Sequence, residues 1–346
     1  MIKNTKIGLV GAGRFGRLIL SILHDLADVQ LVAVCNRTVS KAEKVAQDFG
    51  IPHVFSDYQE MLDQVPMDAC FVTTDEATHT AITLAALNKG CHVFVEKPLA
   101  TTLADGIRMR DKSREKKLQL HVGYILRFTP DNAYLKAEIE RGAFGRIGSI
   151  RVKRNCSRQW FHDFGKRINL VYETGCHDID LVVYLTGQKG KKVYATARHM
   201  LGYDNPDLIM AMIELEDNTV CFLETSWLAP DCAPANLAGP LELAGVIDSE
   251  LEIVAEKQTA RARILDSSLQ IWSDKLVRVP DLSLWPEVHG RVAGALQAEV
   301  AHFVDCVRDN KESTVQSADQ AVEVMRIADA IALSMKEGRE IKISQD

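Results

Sequence analysis

Ile7-Gly8-Leu9-Val10-Gly11-Ala12-Gly13-Arg14-Phe15-Gly16 is the stretch that decides the fold. Ile7 to Val10 is a short apolar run, and Leu18, Ile19, Ile22 and Leu23 then recur at helical spacing. After a polar break at 25–28, Leu31-Val32-Ala33-Val34 makes a second strand ending at Cys35-Asn36-Arg37. The order is strand, glycine turn, helix, strand. Gly11 permits the tight turn, Gly13 lets the backbone approach a pyrophosphate, and Gly16 lets the helix pack closely on the strand. Arg14 and Phe15 complete the turn and count with the glycines as cofactor positions. The first N–H groups of the helix, at the positive end of its dipole, suit phosphate. A glycine triplet alone recurs by chance. One that follows a strand, opens a helix and precedes a second strand reads as a dinucleotide site.

Working outward, the same alternation continues to residue 122. Helical patterns cover 40–49, 57–63, 78–88 and 102–116, and strand patterns cover 51–55, 69–73, 91–95 and 118–122. Strands alternating with helices predict βαβ units and a doubly wound parallel sheet, a Rossmann domain over 1–122. Ligands on such a sheet bind at the carboxyl ends of its strands. Those ends bring up Asn36, Arg37 and Thr38, then Thr73, Thr74 and His79, then Glu96 and Lys97, and finally 123–127.

Asn36 lies twenty residues after Gly16, where an NAD enzyme usually carries a carboxylate for the ribose. Asn36, Arg37 and Thr38 can donate to a 2′-phosphate that a carboxylate would repel, which favours NADP. The other reading has Asn36 on the ribose of NAD with Arg37 in solvent. His79 starts a helix beside the nicotinamide end, as a cofactor contact or as a capping residue. Lys97, in Glu96-Lys97-Pro98, follows a buried strand at the functional edge. Its ammonium can orient a substrate hydroxyl and stabilise charge developing on oxygen.

The chain has 346 residues, 47% hydrophobic and 25% charged, enough for two domains with real cores. A net charge of −6 gives no electrostatic reason to expect nucleic acid or an anionic membrane. Eight cysteines without a CxxC pair argue for a reducing compartment and against a zinc ribbon or disulfide framework. No Cys/His/carboxylate cluster has ligand spacing, so no metal is required. Met1-Ile2-Lys3 leads straight into the first strand, which fits no signal peptide, and no apolar run has the length of a membrane span. A cytoplasmic protein is expected.

Gly11–Gly16 and Glu96-Lys97-Pro98 together resemble the Gfo/Idh/MocA oxidoreductases, the group of glucose–fructose oxidoreductase and inositol dehydrogenases. Gly123-Tyr124-Ile125-Leu126-Arg127-Phe128 is similar to the family's entry into a second domain, and Gly145-Arg146-Ile147-Gly148 to its glycine turn before a long strand. Glu173-Thr174-Gly175-Cys176-His177-Asp178-Ile179-Asp180 resembles its catalytic segment, and the similarity continues through 299–304, 315–334 and 340–343. The resemblance implies a C-terminal α/β domain over 123–346 with a large open, mostly antiparallel sheet that commonly mediates homodimers or homotetramers. Strand-like runs at 147–154, 192–200, 208–215, 219–226, 241–244, 251–255, 261–265 and 269–272 agree with it. Val220 to Leu223, nearly all apolar, reads as a strand covered on both faces.

The implied activity is NAD(P)-dependent hydride transfer at a secondary alcohol or ketone of a sugar, a sugar derivative or an inositol-like polyol. His177, at the first turn of a helix over 177–185, would pass the hydroxyl proton. Lys97 would polarise the oxygen. Glu173 stands where the family usually has Asp, and would hold Lys97 charged or orient His177 from one methylene further away. Asp180 reads as a helix-holding residue. Arg127 faces the substrate or forms a structural ion pair. Tyr172, Trp160, His162 and Asp163 lie on segments that can line a sugar pocket, with Leu284-Trp285-Pro286 and His289 closing it. Two rivals remain open: an NAD-dependent glycosidase of the same family, and a non-enzymatic regulator that senses dinucleotide.

Overall fold

The computed structural model describes residues 4–237, 245–264, 269–274 and 277–344. The strand expected at 241–244, Leu265 and the side chain of Asp163 lie outside what is described. By its internal contacts the chain forms two units. The first runs to Phe128 and takes in Leu284–Val322; the second begins at Thr129 and includes Glu323 onward.

The first unit opens with β1 (Thr5–Val10), α1 (Arg14–Asp25), β2 (Val29–Cys35), α2 (Val39–Phe49) and β3 (His53–Phe55). It continues with α3 (Tyr58–Gln64), β4 (Ala69–Val72), α4 (Glu76–Asn88), β5 (His92–Val95), α5 (Leu103–Lys116) and β6 (Leu120–Val122). All six strands are parallel, in the order β3-β2-β1-β4-β5-β6, the doubly wound arrangement. The helix boundaries have local causes. Asp57 accepts the Gln59 and Glu60 N–H groups at the start of α3, and Thr102 accepts Asp105 N–H at the start of α5. Gly50 closes α2 in the left-handed conformation at φ 65°.

The chain then enters the second unit with α6 (Pro130–Glu140), β7 (Ile147–Ser157), α7 (Arg158–Phe164), a π turn at Val171–Gly175 and α8 (Cys176–Thr186). β8 (Gly190–Arg198), β9 (Leu208–Leu215), β10 (Val220–Ala229), β11 (Ile247–Ala255) and β12 (Thr259–Arg263) follow. β13 (Ile271–Trp272) and β14 (Val277–Arg278) pair with each other, and Arg278 also bridges Ala235, so among the described residues the run at 269–272 does not extend the main sheet.

β15 (Glu287–Val288), β16 (Arg291–Val292) and α9 (Ala295–Arg308) return to the first unit. There Phe303 packs edge-on against Phe71 and Phe94, at 5.2 and 5.7 Å between ring centres. The division between units falls within α10 (Ala318–Glu337), and β17 (Ile341–Lys342) completes the sheet of the second unit. Among the described residues that sheet has seven strands in the order β12-β11-β7-β10-β9-β8-β17. Only β7 and β10 run parallel; the other pairs are antiparallel.

β10 corrects one expectation. Cys221 and Leu223 are buried, whereas Phe222 between them is 47% exposed. In a strand with one covered face, alternate side chains point to opposite sides whatever their polarity. Within one chain, then, the outer face of this apolar run is left open.

Candidate functional site

The glycine turn is built as its residue types demand. Gly11 sits at φ 109°, and a Cβ there would stand 2.6 Å from the Thr73 backbone. At Gly16 a Cβ would fall 2.0 Å from Gly11 O. Both positions exclude a side chain. A Cβ on Gly13 would meet nothing within 4 Å, so this backbone faces open space, as a cradle for a ligand must. Gly13 precedes α1 without any side-chain cap, which leaves the first N–H groups to a phosphate. These features fit a dinucleotide pyrophosphate.

Asn36 takes a different first task from the one expected. Its Oδ1 accepts Ala12 N–H at 3.0 Å and its Nδ2 donates to Thr38 O at 3.0 Å. The carboxamide thus ties the glycine turn to the end of β2. Arg37 and Thr38 are exposed beside it. Thr73 also builds the turn, its hydroxyl donating to Gly11 O at 2.7 Å. The Thr74 hydroxyl accepts from Thr78 at 2.7 Å.

Because β1 and β5 are parallel members of one sheet, Glu96 and Lys97 follow β5 at the same carboxyl edge as the glycine turn. Lys97 is half-buried. The Glu96 carboxyl is enclosed: Oε2 accepts the Lys97 N–H at 3.3 Å, and Oε1 is buried without a hydrogen-bond partner. Burial pushes this carboxyl up to about 7, against the pull of Lys97. A Cβ on Gly123 would lie 2.7 Å from Glu96 Oε1, so the absence of a side chain at Gly123 is what admits the carboxyl.

The His79 ring turns inward instead of capping α4 or facing a cofactor. It is 1% exposed, with Nδ1 2.8 Å from Pro98 O and Nε2 3.1 Å from Thr74 O. Burial lowers its pKa against the pull of those two carbonyls. Neutral, the ring has one N–H to donate, and the shorter approach, Nδ1 to Pro98 O, ties α4 to the loop after Lys97. Arg127 is also corrected: the side chain is 1% exposed, and Nη1 donates to Val315 O and Gln320 Oε1, both at 2.6 Å. It holds the first unit together and does not reach toward a substrate.

In the second unit, Glu173 lies on the π turn and His177 in the first turn of α8, both half-buried. The turn runs into the helix without a break, since Gly175 is itself helical at φ −62° and ψ −28°. Thr174 donates to Glu173 Oε2 at 2.6 Å. The Tyr172 hydroxyl donates to Asp329 Oδ1 at 2.7 Å, so its polar end is held by α10. Burial, reinforced by Asp329, drives the Tyr172 phenol upward, and it stays protonated. His162 is exposed and hydrogen-bonds the Tyr203 hydroxyl at 2.7 Å. Trp285 packs edge-on against Phe15 of the glycine turn at 6.2 Å, while His289 is exposed.

Residues 5–124 match the family model described as oxidoreductase family, NAD-binding Rossmann fold, and residues 136–343 match its C-terminal alpha/beta domain. The chain is a Gfo/Idh/MocA oxidoreductase. This oxidoreductase is 32% identical over 238 residues to 4-carboxy-2-hydroxymuconate-6-semialdehyde dehydrogenase of Sphingobium sp., covering 64% of its own length and 72% of that protein. It is 24% identical to scyllo-inositol 2-dehydrogenase (NAD(+)) of Bacillus subtilis over 99% of its own length and 98% of the relative. Among solved structures it shares its fold with scyllo-inositol dehydrogenase from Lactobacillus casei with bound NAD(H) and scyllo-inositol. That likeness has a TM-score of 0.82 and 21% identity, over 99% of both chains.

Two features of this oxidoreductase had no mark in the sequence. One is the His79 clamp on Pro98. The other is a buried ion pair beside His177, in which Arg154 Nε and Nη2 donate to Asp178 Oδ2 and Oδ1 at 3.0 and 2.9 Å. Arg154 falls among the inward positions of β7, where pattern alone expects an apolar residue.

Proposed function

We propose that this chain is an NAD(P)-dependent dehydrogenase or reductase acting on a secondary alcohol or ketone of a sugar, a sugar derivative or an inositol-like polyol. The observation that carries the reading is Lys97, fixed directly after β5 on the same sheet edge as the glycine turn. Gly11, Gly13, Arg14, Phe15 and Gly16 would hold the dinucleotide, with Thr73 and Thr74 beside them. A nicotinamide held by these residues would supply the hydride acceptor in oxidation and the donor in reduction. Lys97 orients the substrate oxygen and stabilises charge that develops on it. His177 takes the hydroxyl proton in oxidation and returns it in reduction. Glu173 supports both roles through its negative charge.

The cofactor assigned is NADP. With the Asn36 carboxamide bonded to Ala12 and Thr38, the exposed Arg37 and Thr38 are left to meet a 2′-phosphate, and position 36 itself carries no carboxylate. The assembly assigned is a homodimer or homotetramer through the outer face of the seven-stranded sheet. Tyr194, Met212 and Phe222 lie side by side across β8, β9 and β10, each 46–47% exposed. Contiguous exposed apolar surface of this kind marks an interaction site.

The test is a panel of inositols, aldoses and sugar nucleotides, each with NAD⁺ and NADP⁺, followed by absorbance of the reduced cofactor. The carboxylated semialdehyde named for the Sphingobium relative belongs in it as a further substrate class. Substrate-dependent reduction with at least one polyol is expected, faster with NADP⁺. Equal or faster reduction with NAD⁺ overturns the cofactor assignment. Glycoside cleavage without net reduction would make the chain a glycosidase, and dinucleotide binding without turnover of any member would make it a regulator.

A further inference from the structure

We propose that Arg154 is a positioning residue for His177, acting through Asp178; this rests on the reading of His177 as the proton-transfer group. The segment that carries Glu173 and His177 is capped at its far end, ahead of the π turn, where Asn169 Oδ1 accepts Val171 N–H at 3.0 Å. No side chain caps α8, whose first turn continues straight out of the π turn at Val171–Gly175. A cap residue normally sets where a helix begins and how the chain enters it. A π turn replaces the regular i→i+4 ladder with a wider one and recurs at functional sites.

Nearer His177, the segment is held from the side. Asp178, the residue after His177, is 1% exposed, and Arg154 is 4% exposed. The guanidinium and carboxylate meet as a two-pronged fork, which sets rotation as well as distance in a way that a single ammonium contact would not. Arg154 is itself firmly placed. It sits on β7, opposite Thr225 of β10 on one side and Ser249 of β11 on the other. The fork therefore ties the first turn of α8 to an interior strand of the sheet. Burial works against the Arg154 charge, but Asp178 outweighs it and keeps the guanidinium protonated. Buried Cys156 and Cys176 lie beside the pair.

A buried ion pair is an expensive means of holding two elements together. Apolar pairs of similar volume are often as stable or more so, whereas removing one partner alone is strongly destabilising. Orientation is what the fork supplies and an apolar contact does not.

The experiment compares the wild type with Arg154→Met/Asp178→Leu, which removes both charges together, and with Arg154→Lys, which keeps the charge and loses the fork. Each is prepared with isotope-labelled histidine, and the His177 imidazole resonances are assigned through His177→Asn. Thermal unfolding and steady-state turnover of myo-inositol with NADP⁺ and NAD⁺ are measured alongside. For the double variant the expected result is a folded protein with a displaced His177 resonance. Its dinucleotide KM should stay within about twofold and its kcat fall about a hundredfold, the scale of an ångström-sized misplacement. Arg154→Lys should lie between the two.

A folded double variant whose His177 resonance and kcat match the wild type overturns the proposal. If the double variant does not fold, Arg154→Lys decides on the same two readouts. A displaced resonance with unchanged kcat, together with an active His177→Asn, supports the anchor and removes the catalytic reading of His177. The two failures are thus distinguishable.

Discussion

Glu96 is the residue whose surroundings make the sharpest claim. A carboxyl raised to about 7 from its ordinary 4.5 binds a proton in the folded chain that the unfolded chain has already lost. Its contribution to stability is whole below pH 4.5 and is lost as pH rises through about 7. Glu96→Gln keeps the shape and removes the titration. Its melting temperature should therefore hold up better than the wild type's between pH 5 and 8. Identical pH dependence of melting in the two proteins would show that the carboxyl is not held protonated. The glycines make a second claim at this scale. Gly16→Ala places a methyl against Gly11 O and should disrupt the turn, costing at least about 2 kcal/mol by overpacking. Gly13→Ala should leave stability within about 1 kcal/mol while weakening dinucleotide affinity at least about tenfold. Chemical denaturation and a binding titration separate these outcomes; equal stability losses at both positions would refute the distinction.

How much the sequence reveals differs from residue to residue for physical reasons. Gly11, Gly16 and Lys97 are legible because a turn, a close approach and a strand end are local events with local signatures. The inward turn of the His79 ring and the tether of Arg127 to Val315 and Gln320 are not local. Each depends on which distant backbone carbonyl lies within reach, and a motif does not encode that. Asn36 falls between the two cases. Its position was evident, but its carboxamide bonds to its own turn and to Thr38.

At the scale of elements, the βα units of the first sheet were legible nearly strand by strand, since period and punctuation agree throughout 5–122. The second unit was legible as a set of strands and illegible in its order. β7 pairs with β10 in parallel and with β11 antiparallel, and no local pattern distinguishes those neighbours. The apolar run in β10 misled because composition does not say which face is covered. The exposed row of Tyr194, Met212 and Phe222 now has a use to be tested. Met212→Glu should lower the assembly state in light scattering and leave the far-ultraviolet spectrum unchanged. An unchanged mass would exclude this face as the interface.

For the whole molecule, the return of Leu284–Val322 to the first unit is the feature furthest from any sequence sign. It brings His302 of α9 against His121 of β6, with the rings 5.9 Å apart. His121 is lowered from 6.5 to about 3 by burial, then by His302, His92 and Arg127. His92 and His302 are also lowered, each chiefly by burial. Such a group supports the fold fully above the unfolded value of 6.5. That support erodes as pH falls toward about 3, because the unfolded chain takes the proton first. Wild-type stability should fall by up to about 1.4 kcal/mol per pH unit for His121 alone below pH 6.5. His121→Gln should flatten that slope in denaturant titrations between pH 7 and 4.5. A variant as acid-sensitive as the wild type would place the acid response elsewhere.

These scales meet at Lys97, where residue type, strand end and sheet edge coincide. Lys97→Met removes the ammonium and keeps most of the side-chain volume. Turnover of the best substrate from the panel should fall by at least about a thousandfold, while the dinucleotide dissociation constant changes by less than about threefold. Near-native turnover in Lys97→Met would contradict the account.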